Sequence, residues 1–327
     1  MPQGMNDDIA VTVVCIAYNH APYIRSALDS IVRQKTSFKY KVLVHDDAST
    51  DGTAEIIKEY ADRYPSLIVP ILQTKNLFSQ GILPSVFVAP YIEGKYVALC
   101  ECDDWWDNDY KLQMQWDYME SHKSCSLCTH AVDEFLEPEH RVIGQIAPSD
   151  FDRDYSVDEV ILGDGGMFGT NSMFFRSEYY ELPSCYLGWG VGDYPRTVYL
   201  ATQGEVHYVA KVMSTYRIGS LGSWTTRMQG TSFSVSQKEL IIRGLKEADK
   251  YTDGLYHASF ERRVALTTID LAGIRGDWGL VNQPSCQEAF KALPLRRKIK
   301  IFLECKAPFL AGAINKVWIT VKRKPSI

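Results

Sequence analysis

The sequence predicts an α/β fold in which helices flank a mostly parallel sheet. Apolar runs of strand length alternate with segments of helical periodicity along the first third of the chain, as in proteins with parallel sheets. The chain has 327 residues and is 46% hydrophobic, so it can bury one large core and carry a smaller appendage. We therefore expect a main domain over residues 1–232 and a mainly helical C-terminal region over residues 233–327.

The elements of the first half are predicted from their apolar pattern. Val11–Ala17 is apolar almost without interruption, as in a strand buried on both faces. A helix should follow, with Asn19 as its cap and Pro22 in its first turn. The next elements are predicted as a strand at Tyr40–His45, a helix around Ile56–Tyr60, a strand at Leu67–Leu72, a helix over 80–93 and a strand at Tyr96–Cys100. Because helices separate these strands, they should run parallel.

The sequence pattern of the second half predicts secondary structure less clearly. Its predicted elements are a helix at Asp109–Ser121, a strand at Ser126–Val132, a loop over 133–155, a strand at Thr170–Arg176, a helix over 193–203, a mobile segment over 219–232 and mainly helices from about residue 235. This half should complete the main domain and then form the helical appendage.

Polar residues follow three of the predicted strands. These are Ala17-Tyr18-Asn19 after the first strand, Asp46-Asp47 after the second and Glu101-Cys102-Asp103-Asp104 after the fourth. In open parallel sheets, ligands bind beyond the carboxyl ends of the strands. We therefore expect the three clusters to meet at one edge of the sheet and to form a ligand site there.

The acidic cluster is the strongest chemical signal in the sequence. Glu101, Asp103 and Asp104 place three carboxylates within four residues, where mutual repulsion and partial burial disfavour their charged forms. A divalent ion held by oxygen ligands would relieve that cost and could also hold a diphosphate. The alternative is a solvated acidic turn that caps the following helix.

Charge is distributed unevenly along the chain. Residues 291–327 contain ten Lys and Arg and one Glu, a net charge of +9, whereas residues 1–290 carry 25 Lys and Arg and 39 Asp and Glu, a net charge of −14. An acidic body argues against sequence-independent binding of nucleic acid. The basic tail could lie on an anionic membrane surface, or it could be a terminal helix pair with solvated lysines.

Cysteine usage and the N-terminal residues bear on the compartment. Eight cysteines are scattered without a disulfide-like framework, a pattern that suits a reducing environment. The first apolar run, 9–17, is too short for a membrane span and lacks a basic flank, so we expect no signal peptide. These features predict a cytoplasmic protein that is peripheral to the membrane if the tail binds lipid.

Four motifs together resemble glycosyltransferase family 2. They are Val11–Asn19, His45–Asp51, Gly94–Ala98 and Cys102–Trp105, and they stand in the order and at the spacing of that family. The resemblance covers about residues 9–225. It implies a GT-A fold and an inverting transfer from a nucleotide-diphosphate sugar.

The resemblance also implies roles for individual residues. Those implied for the donor nucleotide are Ala17, Tyr18, Asn19, Asp46, Asp47, Asp103 and Arg217, with Asp46 or Asp47 accepting from uracil or thymine and Arg217 near phosphate. Asp103 matches the last acid of the family's Asp-X-Asp metal motif, Asp104 follows it, and Glu101 replaces the first acid. Mg²⁺ or Mn²⁺ is the cofactor that this motif implies.

Further residues match the catalytic and acceptor segments of the family. Asp193, which precedes a predicted helix, matches the catalytic base, and the helix dipole there would stabilise its charged form. The alternative is an ordinary N-cap with Pro195 in the first turn. Thr170, Ser172 and Trp189 match positions near the acceptor, although the first two could instead form only a turn before a buried strand.

The predicted function is transfer of a sugar from a UDP- or dTDP-sugar to a hydroxyl of a glycan or lipid-linked acceptor in surface polysaccharide biosynthesis. The alternatives are a sugar nucleotidyltransferase on a related fold and a silent nucleotide- or glycan-binding protein. A zinc site is discounted, because the residues that suggest it span a helix end and a strand and should point in different directions; they are His122, Cys125, Cys128 and His130. No phosphate-binding glycine loop opens a helix in the sequence.

Overall fold

A computed structural model describes residues 8–220 and 231–307 of the chain. Contacts divide the chain into two compact units, Met1–Leu182 with Thr197–Thr226, and Pro183–Arg196 with Arg227–Ile327. The second unit thus includes residues 183–196, which the sequence analysis assigned to the main domain. The predicted boundary at residue 232 stays a prediction.

The first four strands of the first unit run parallel, as predicted. In space they lie in the order β3-β2-β1-β4. The bounds of these elements and of the intervening helices are β1 Ile9–Ala17, α1 Ile24–Val32, β2 Lys39–Asp46, α2 Thr53–Arg63, β3 Ile68–Leu72, α3 Pro84–Val88 and β4 Tyr96–Leu99. The helix predicted over 80–93 is limited to α3 and short 3₁₀ turns on either side, because prolines interrupt this segment.

The rest of the first unit extends this sheet with strands of mixed direction. Its elements are β5 Trp105–Trp106, α4 Lys111–Ser121, β6 Cys125–Leu136, β7 Arg141–Ile146, β8 Arg153–Tyr155, α5 Val157–Gly163, β9 Phe174–Arg176, α6 Asp193–Gln203, whose first residues belong to the second unit, and β10 Glu205–Ile218. β10 runs parallel to β6, whereas β5, β7, β8 and β9 pair antiparallel with their neighbours. The predicted loop over 133–155 is wrong, since β6 extends into this segment as far as Leu136 and β7 and β8 lie within it.

The core of the first unit lies between the central strands and their helices. The inward residues of β1 and β2, among them Val13 and Val44, are completely buried, as the unbroken apolar runs predicted. Gly94 allows β4 to start beside β1, because it has a φ of +77° and a Cβ there would lie 2.6 Å from the backbone of Ala10. The close approach of β4 to β1 therefore explains why the motif Gly94–Ala98 begins with glycine.

The second unit is helical, as predicted for the C-terminal region. After residues 183–196 it contains α7 Thr231–Tyr251, α8 His257–Arg275, α9 Trp278–Val281, α10 Pro284–Ala292 and α11 Leu295–Lys306. Ile269 and Ile301 lie in a core that α8 to α11 share. Across the residues that the structure describes, none of the helices combines the length and apolar composition of a membrane span.

Candidate functional site

The turns that follow β1 and β2 are tied to each other by hydrogen bonds. Asn19 has a φ of +55°; its backbone N–H donates to the Ser49 hydroxyl at 2.8 Å, and its side-chain oxygen accepts from the Thr50 N–H at 2.9 Å. The Asp51 carboxylate accepts from the Ala21 N–H at 3.0 Å. Asn19 therefore links two turns and does not cap α1, which begins five residues later at Ile24.

Asp46 and Asp47 also organise this edge of the sheet. The Asp46 carboxylate accepts from the backbone N–H and the hydroxyl of Ser49. The Asp47 carboxylate accepts from the N–H groups of Leu77 at 2.8 Å and Phe78 at 3.1 Å, which fixes the loop after β3. Each carboxylate oxygen has a second lone pair, so recognition of a base by either residue stays a prediction. Tyr18 lies on the same β1 turn, with 47% of its surface exposed.

The turn after β4 brings the acidic cluster to this edge. The Asp104 N–H donates to the Glu101 carbonyl at 3.0 Å, and the Asp104 carboxylate accepts from the Arg217 N–H at 2.8 Å. The second oxygen of the Asp104 carboxylate is buried and has no hydrogen-bond partner among the described residues. Burial, together with the charges of Asp103 and Glu101, raises the pKa of Asp104 well above its usual value.

Asp103 lies where three segments of the first unit meet. One of its carboxylate oxygens accepts from the Ser220 hydroxyl at 2.9 Å, and the same oxygen lies 3.9 Å from the His20 Nε2. His20 belongs to the turn after β1, and Ser220 follows the end of β10. Asp103 is therefore the carboxylate that the structure surrounds with groups from separate loops.

Arg217, near the end of β10, makes contacts with the turn that carries Asp103 and with the residues around it. Its Nε donates to the Asp103 carbonyl at 2.7 Å, and its guanidinium is paired with the Glu137 carboxylate. The guanidinium carbon also lies 4.7 Å from the ring centroids of both Tyr23 and Trp105. Since these contacts are internal, contact between Arg217 and a donor phosphate stays a prediction.

A divalent cation, which the family resemblance implies, is compatible with the chemistry of this cluster. Mg²⁺ prefers oxygen ligands and is commonly held by one or two carboxylates together with substrate phosphates. Asp103 presents a carboxylate at the ligand edge, and the unpartnered oxygen of Asp104 is a second carboxyl oxygen next to it in the chain. Over residues 8–220 and 231–307, no three His, Cys, Asp or Glu side chains are grouped as metal ligands. The ligand roles of Glu101, Asp103 and Asp104 stay predictions.

The residues predicted near the acceptor have different surroundings. Ser172 is completely buried, and its hydroxyl donates to the Gly169 carbonyl at 2.6 Å. Thr170 begins the same 3₁₀ turn and is partly exposed. Trp189 lies inside the second unit, where its indole N–H donates to the Cys185 carbonyl at 2.8 Å. Thr170 is thus the most exposed of the three, and all three acceptor roles stay predictions.

Asp193 is the first residue of α6 and belongs to the second unit. Its carboxylate accepts from the Tyr194 N–H at 2.7 Å, so it lies at the positive end of the helix dipole as predicted. Both the catalytic role and the capping role are compatible with this position.

His20 and Ser220 were not predicted as site residues. His20 directly follows the cluster after the first strand, so the strand-end rule could have found it. Ser220 fell within the segment predicted to be mobile, of which residues 221–230 lie outside the described residues. The discounted zinc residues Cys125, Cys128 and His130 are buried in β6, as expected of core residues.

Comparison with known proteins identifies relatives among glycosyltransferases. The model of the family described as Glycosyl transferase family 2 matches residues 12–181, just over half of the chain. Uncharacterized protein Rv1520 of Mycobacterium tuberculosis is 35% identical over 216 residues, which are 65% of this chain and 60% of that protein. Uncharacterized glycosyltransferase alr2836 of Nostoc is 24% identical and is aligned over 79% of both chains. A Bacillus subtilis protein, TuaG, whose name refers to teichuronic acid biosynthesis, is 29% identical over 36% of this chain and 44% of its own length.

Solved structures share the fold at low sequence identity. Staphylococcus aureus TarS has a TM-score of 0.58 at 16% identity and is matched over 88% of this chain and 50% of its own. The mannosyltransferase PcManGT from Pyrobaculum calidifontis, in complex with GDP-Man and Mn²⁺, has a TM-score of 0.54 at 15% identity, over 96% of this chain and 89% of its own. The expected GT-A architecture is thus confirmed. With a family match across more than half of its length, this chain belongs to glycosyltransferase family 2.

Proposed function

We propose that the protein is an inverting glycosyltransferase. It transfers a sugar from a UDP- or dTDP-sugar to a hydroxyl of a glycan or lipid-linked acceptor in surface polysaccharide biosynthesis. The observation that carries the proposal is the position of Asp103, which lies at the ligand edge of the sheet with His20 and Ser220 around it. The names of similar proteins, which refer to UDP-GlcNAc, GDP-Man and teichuronic acid, support a nucleotide-sugar donor and a polysaccharide product.

Each step of the proposed reaction has a candidate residue. Tyr18 has an exposed ring on the turn after β1, where a nucleoside base can stack. Asp103, with Asp104 and Glu101, would hold Mg²⁺ or Mn²⁺, which supplies charge neutralisation for the leaving nucleoside diphosphate. Asp193 would take a proton from the acceptor hydroxyl, whose oxygen then attacks the anomeric carbon on the face opposite the leaving group.

The test is titration of the full-length protein with UDP, dTDP and GDP, with and without Mn²⁺, followed by a transfer assay with the sugar nucleotide whose base binds. We expect one nucleotide to bind more tightly with Mn²⁺. Asp193→Asn should keep that affinity but lower transfer by about 10²–10⁴-fold, the contribution of a general base. Asp62→Asn, on the exposed face of α2, is the matched control and should leave both unchanged.

Other outcomes separate the alternatives. Failure of all three nucleotides to bind, with or without Mn²⁺, would contradict the donor site. Loss of nucleotide binding in Asp193→Asn would mean that this residue is structural. Release of pyrophosphate from a nucleoside triphosphate and a sugar phosphate would identify a nucleotidyltransferase, and tight binding without any turnover would identify a silent binding protein.

We propose in addition that α11 binds an anionic membrane surface from the cytoplasmic side. Leu295 and Ile299 lie one turn apart and are 71% and 49% exposed, and the helix carries five Lys and Arg residues. Exposed apolar side chains flanked by basic ones are typical of helices that lie in the headgroup region. The basic tail beyond α11 was part of the same prediction and lies outside the described residues.

Vesicle sedimentation tests this interaction. Full-length protein should sediment with vesicles that contain phosphatidylglycerol, and Ile299→Ser should weaken the association roughly tenfold, because a buried Ile side chain contributes about 1.5 kcal/mol or more. Leu255→Ser, which changes an apolar side chain that is 75% exposed outside α11, is the control. Equal sedimentation of both variants and the wild type would contradict the proposal.

A further inference from the structure

A shallow, open cavity with a volume of about 420 Å³ lies on the surface of the first unit beside Arg217. Its walls come from α1, from Trp105 of β5 and from Phe135 at the end of β6, and Arg217 contributes to its lining. The volume lies within the range of small-molecule sites, roughly 300–1,000 Å³. Apart from Arg217, none of the lining residues has a role at the proposed donor site, so the occupant of the cavity is a separate question.

The charges around the cavity balance each other. Asp29 and Glu137 supply two carboxylates, and Arg33 and Arg217 supply two guanidinium groups. Both guanidinium groups donate to protein acceptors: Arg33 to the Asp109 carboxylate at 2.8 Å and to a backbone carbonyl, and Arg217 to Glu137 and the Asp103 carbonyl. An anion would therefore meet carboxylates and occupied cations, and a cation would meet two arginines. The cavity favours an uncharged ligand.

Two polar groups of the lining, Asp29 and Glu137, can accept further hydrogen bonds. Asp29 is exposed on α1, and one of its oxygens accepts from the Tyr60 hydroxyl at 2.6 Å, which leaves lone pairs on both oxygens. The Glu137 carboxylate, which is paired with Arg217, is partly exposed and also lines the cavity. Ionised carboxylates form strong hydrogen bonds with hydroxyl donors. An uncharged ligand that binds here should therefore be rich in hydroxyl groups.

The remaining wall is aromatic. The Trp105 and Phe135 rings meet edge to face with centroids 5.4 Å apart, and His140 stands edge-on to Phe135 at 6.2 Å. Such a surface packs against C–H groups, whereas the carboxylates of the lining accept from hydroxyls. A pyranose ring has both an apolar C–H face and a rim of hydroxyls, so it matches the two walls together.

We propose that this cavity binds a sugar residue of the acceptor glycan. The inference rests on the proposed function, because it names the acceptor as carbohydrate. Arg217 connects the two sites physically, since its guanidinium lines the cavity while its Nε donates to the Asp103 carbonyl. A glycan in the cavity would thus lie one side chain away from the turn that carries Asp103.

Saturation-transfer NMR on the full-length protein tests this site. The probes are the methyl glycosides of glucose, galactose, mannose and N-acetylglucosamine, the trisaccharides maltotriose and chitotriose, and inorganic phosphate, with UDP measured in parallel. At least one sugar should receive saturation. Asp29→Ala and Phe135→Leu should each weaken its binding about tenfold, as expected for loss of a charged hydrogen-bond acceptor or an aromatic wall. Asp62→Ala, which removes an exposed carboxylate on α2 outside the cavity, should not weaken sugar binding.

The outcomes distinguish this proposal from the proposed function. If UDP binds but no sugar in the panel does, or if sugar binding survives both cavity variants, the cavity is not a glycan site although the donor site stands. If phosphate displaces the sugar, the ligand is an anion and the inference is wrong. If sugar binds and both variants weaken it while no nucleotide binds, the cavity is a glycan site and the transferase proposal fails.

Discussion

Replacing Arg217 with alanine should reduce both stability and UDP affinity. The guanidinium is buried, bonds to the Asp103 carbonyl and pairs with Glu137, so its removal leaves a carbonyl and a carboxylate without their partner. Loss of one partner of a buried ion pair costs about 3–5 kcal/mol, and the partial exposure of Glu137 puts the expected loss near 3 kcal/mol. Because the Asp103 turn would then be held less firmly, UDP affinity should fall about tenfold. Urea unfolding and calorimetric titration with UDP measure the two effects.

Two further variants separate a positioning role for Arg217 from direct contact with phosphate. Arg217→Lys keeps the charge but loses the flat guanidinium that bonds to Asp103 and stacks on Trp105, so it should recover only part of both losses. Arg25→Ala, which changes an exposed Arg on α1, is the control and should alter neither quantity. If Arg217→Ala unfolds like the wild type and weakens UDP binding but not uridine binding, the guanidinium contacts phosphate directly.

The parts of the fold that sequence reasoning predicted are those with local signals. β1 to β4 are strands separated by helices, and all except the edge strand β3 are largely buried; their order placed the three polar clusters at one edge. β6 and β10 pair across a long stretch of chain, and the last four residues of β6 are only partly buried and include Asp133 and Glu134, so this end of the strand looks like a loop. Such pairing depends on strands that are far apart in the chain, so the local sequence pattern of either strand does not predict it.

In the candidate site too, features with a local sequence signal could be predicted and those set by tertiary contacts could not. Asp103 and Asp104 could be predicted as a pair because two carboxylates after a buried strand are costly wherever they occur. The sequence could not assign their separate surroundings, because the Arg217 backbone and the Ser220 hydroxyl arrive from β10. In the structure Asp104 is completely buried and tied to the backbone, whereas Asp103 faces two other loops. Both carboxylates are buried, and which of them meets the other loops therefore depends on tertiary contacts.

Lys111 is expected to make the fold less stable below neutral pH. It is completely buried at the start of α4, where its Nζ donates to the Gln115 side chain at 2.8 Å and lies 4.2 Å from the Trp106 ring centroid. Burial lowers its pKa from 10.5 to about 7, although the nearby thiols of Cys100 and Cys128 act in the opposite direction. His130, which is also buried, has its pKa lowered by burial and by the charge of Lys111.

The sign of the pH effect follows from proton binding. Below about pH 7 Lys111 is charged in both the folded and unfolded chains, so the folded state bears the full cost of the buried charge. Between that pH and 10.5 the unfolded chain holds a proton that the folded chain lacks, and stability rises with pH. Lys111→Met removes the charge but leaves a Gln115 oxygen without its donor. We therefore expect a net gain of roughly 2 kcal/mol at about pH 6 that shrinks by about pH 9.

Urea unfolding of the wild type and Lys111→Met at these two pH values measures the difference directly. Groups that titrate in both proteins cancel in the comparison, apart from His130, whose coupling to Lys111 acts below neutral pH. Lys58→Met, on the exposed face of α2, should show no difference at either pH and excludes a general effect of the substitution. A variant that is less stable than the wild type at about pH 6 would mean that the contacts with Gln115 and Trp106 outweigh the cost of burying the charge. An equal gain at both pH values would mean that Lys111 keeps its proton in the folded state across this range, because stability changes with pH only where the folded and unfolded chains bind different numbers of protons.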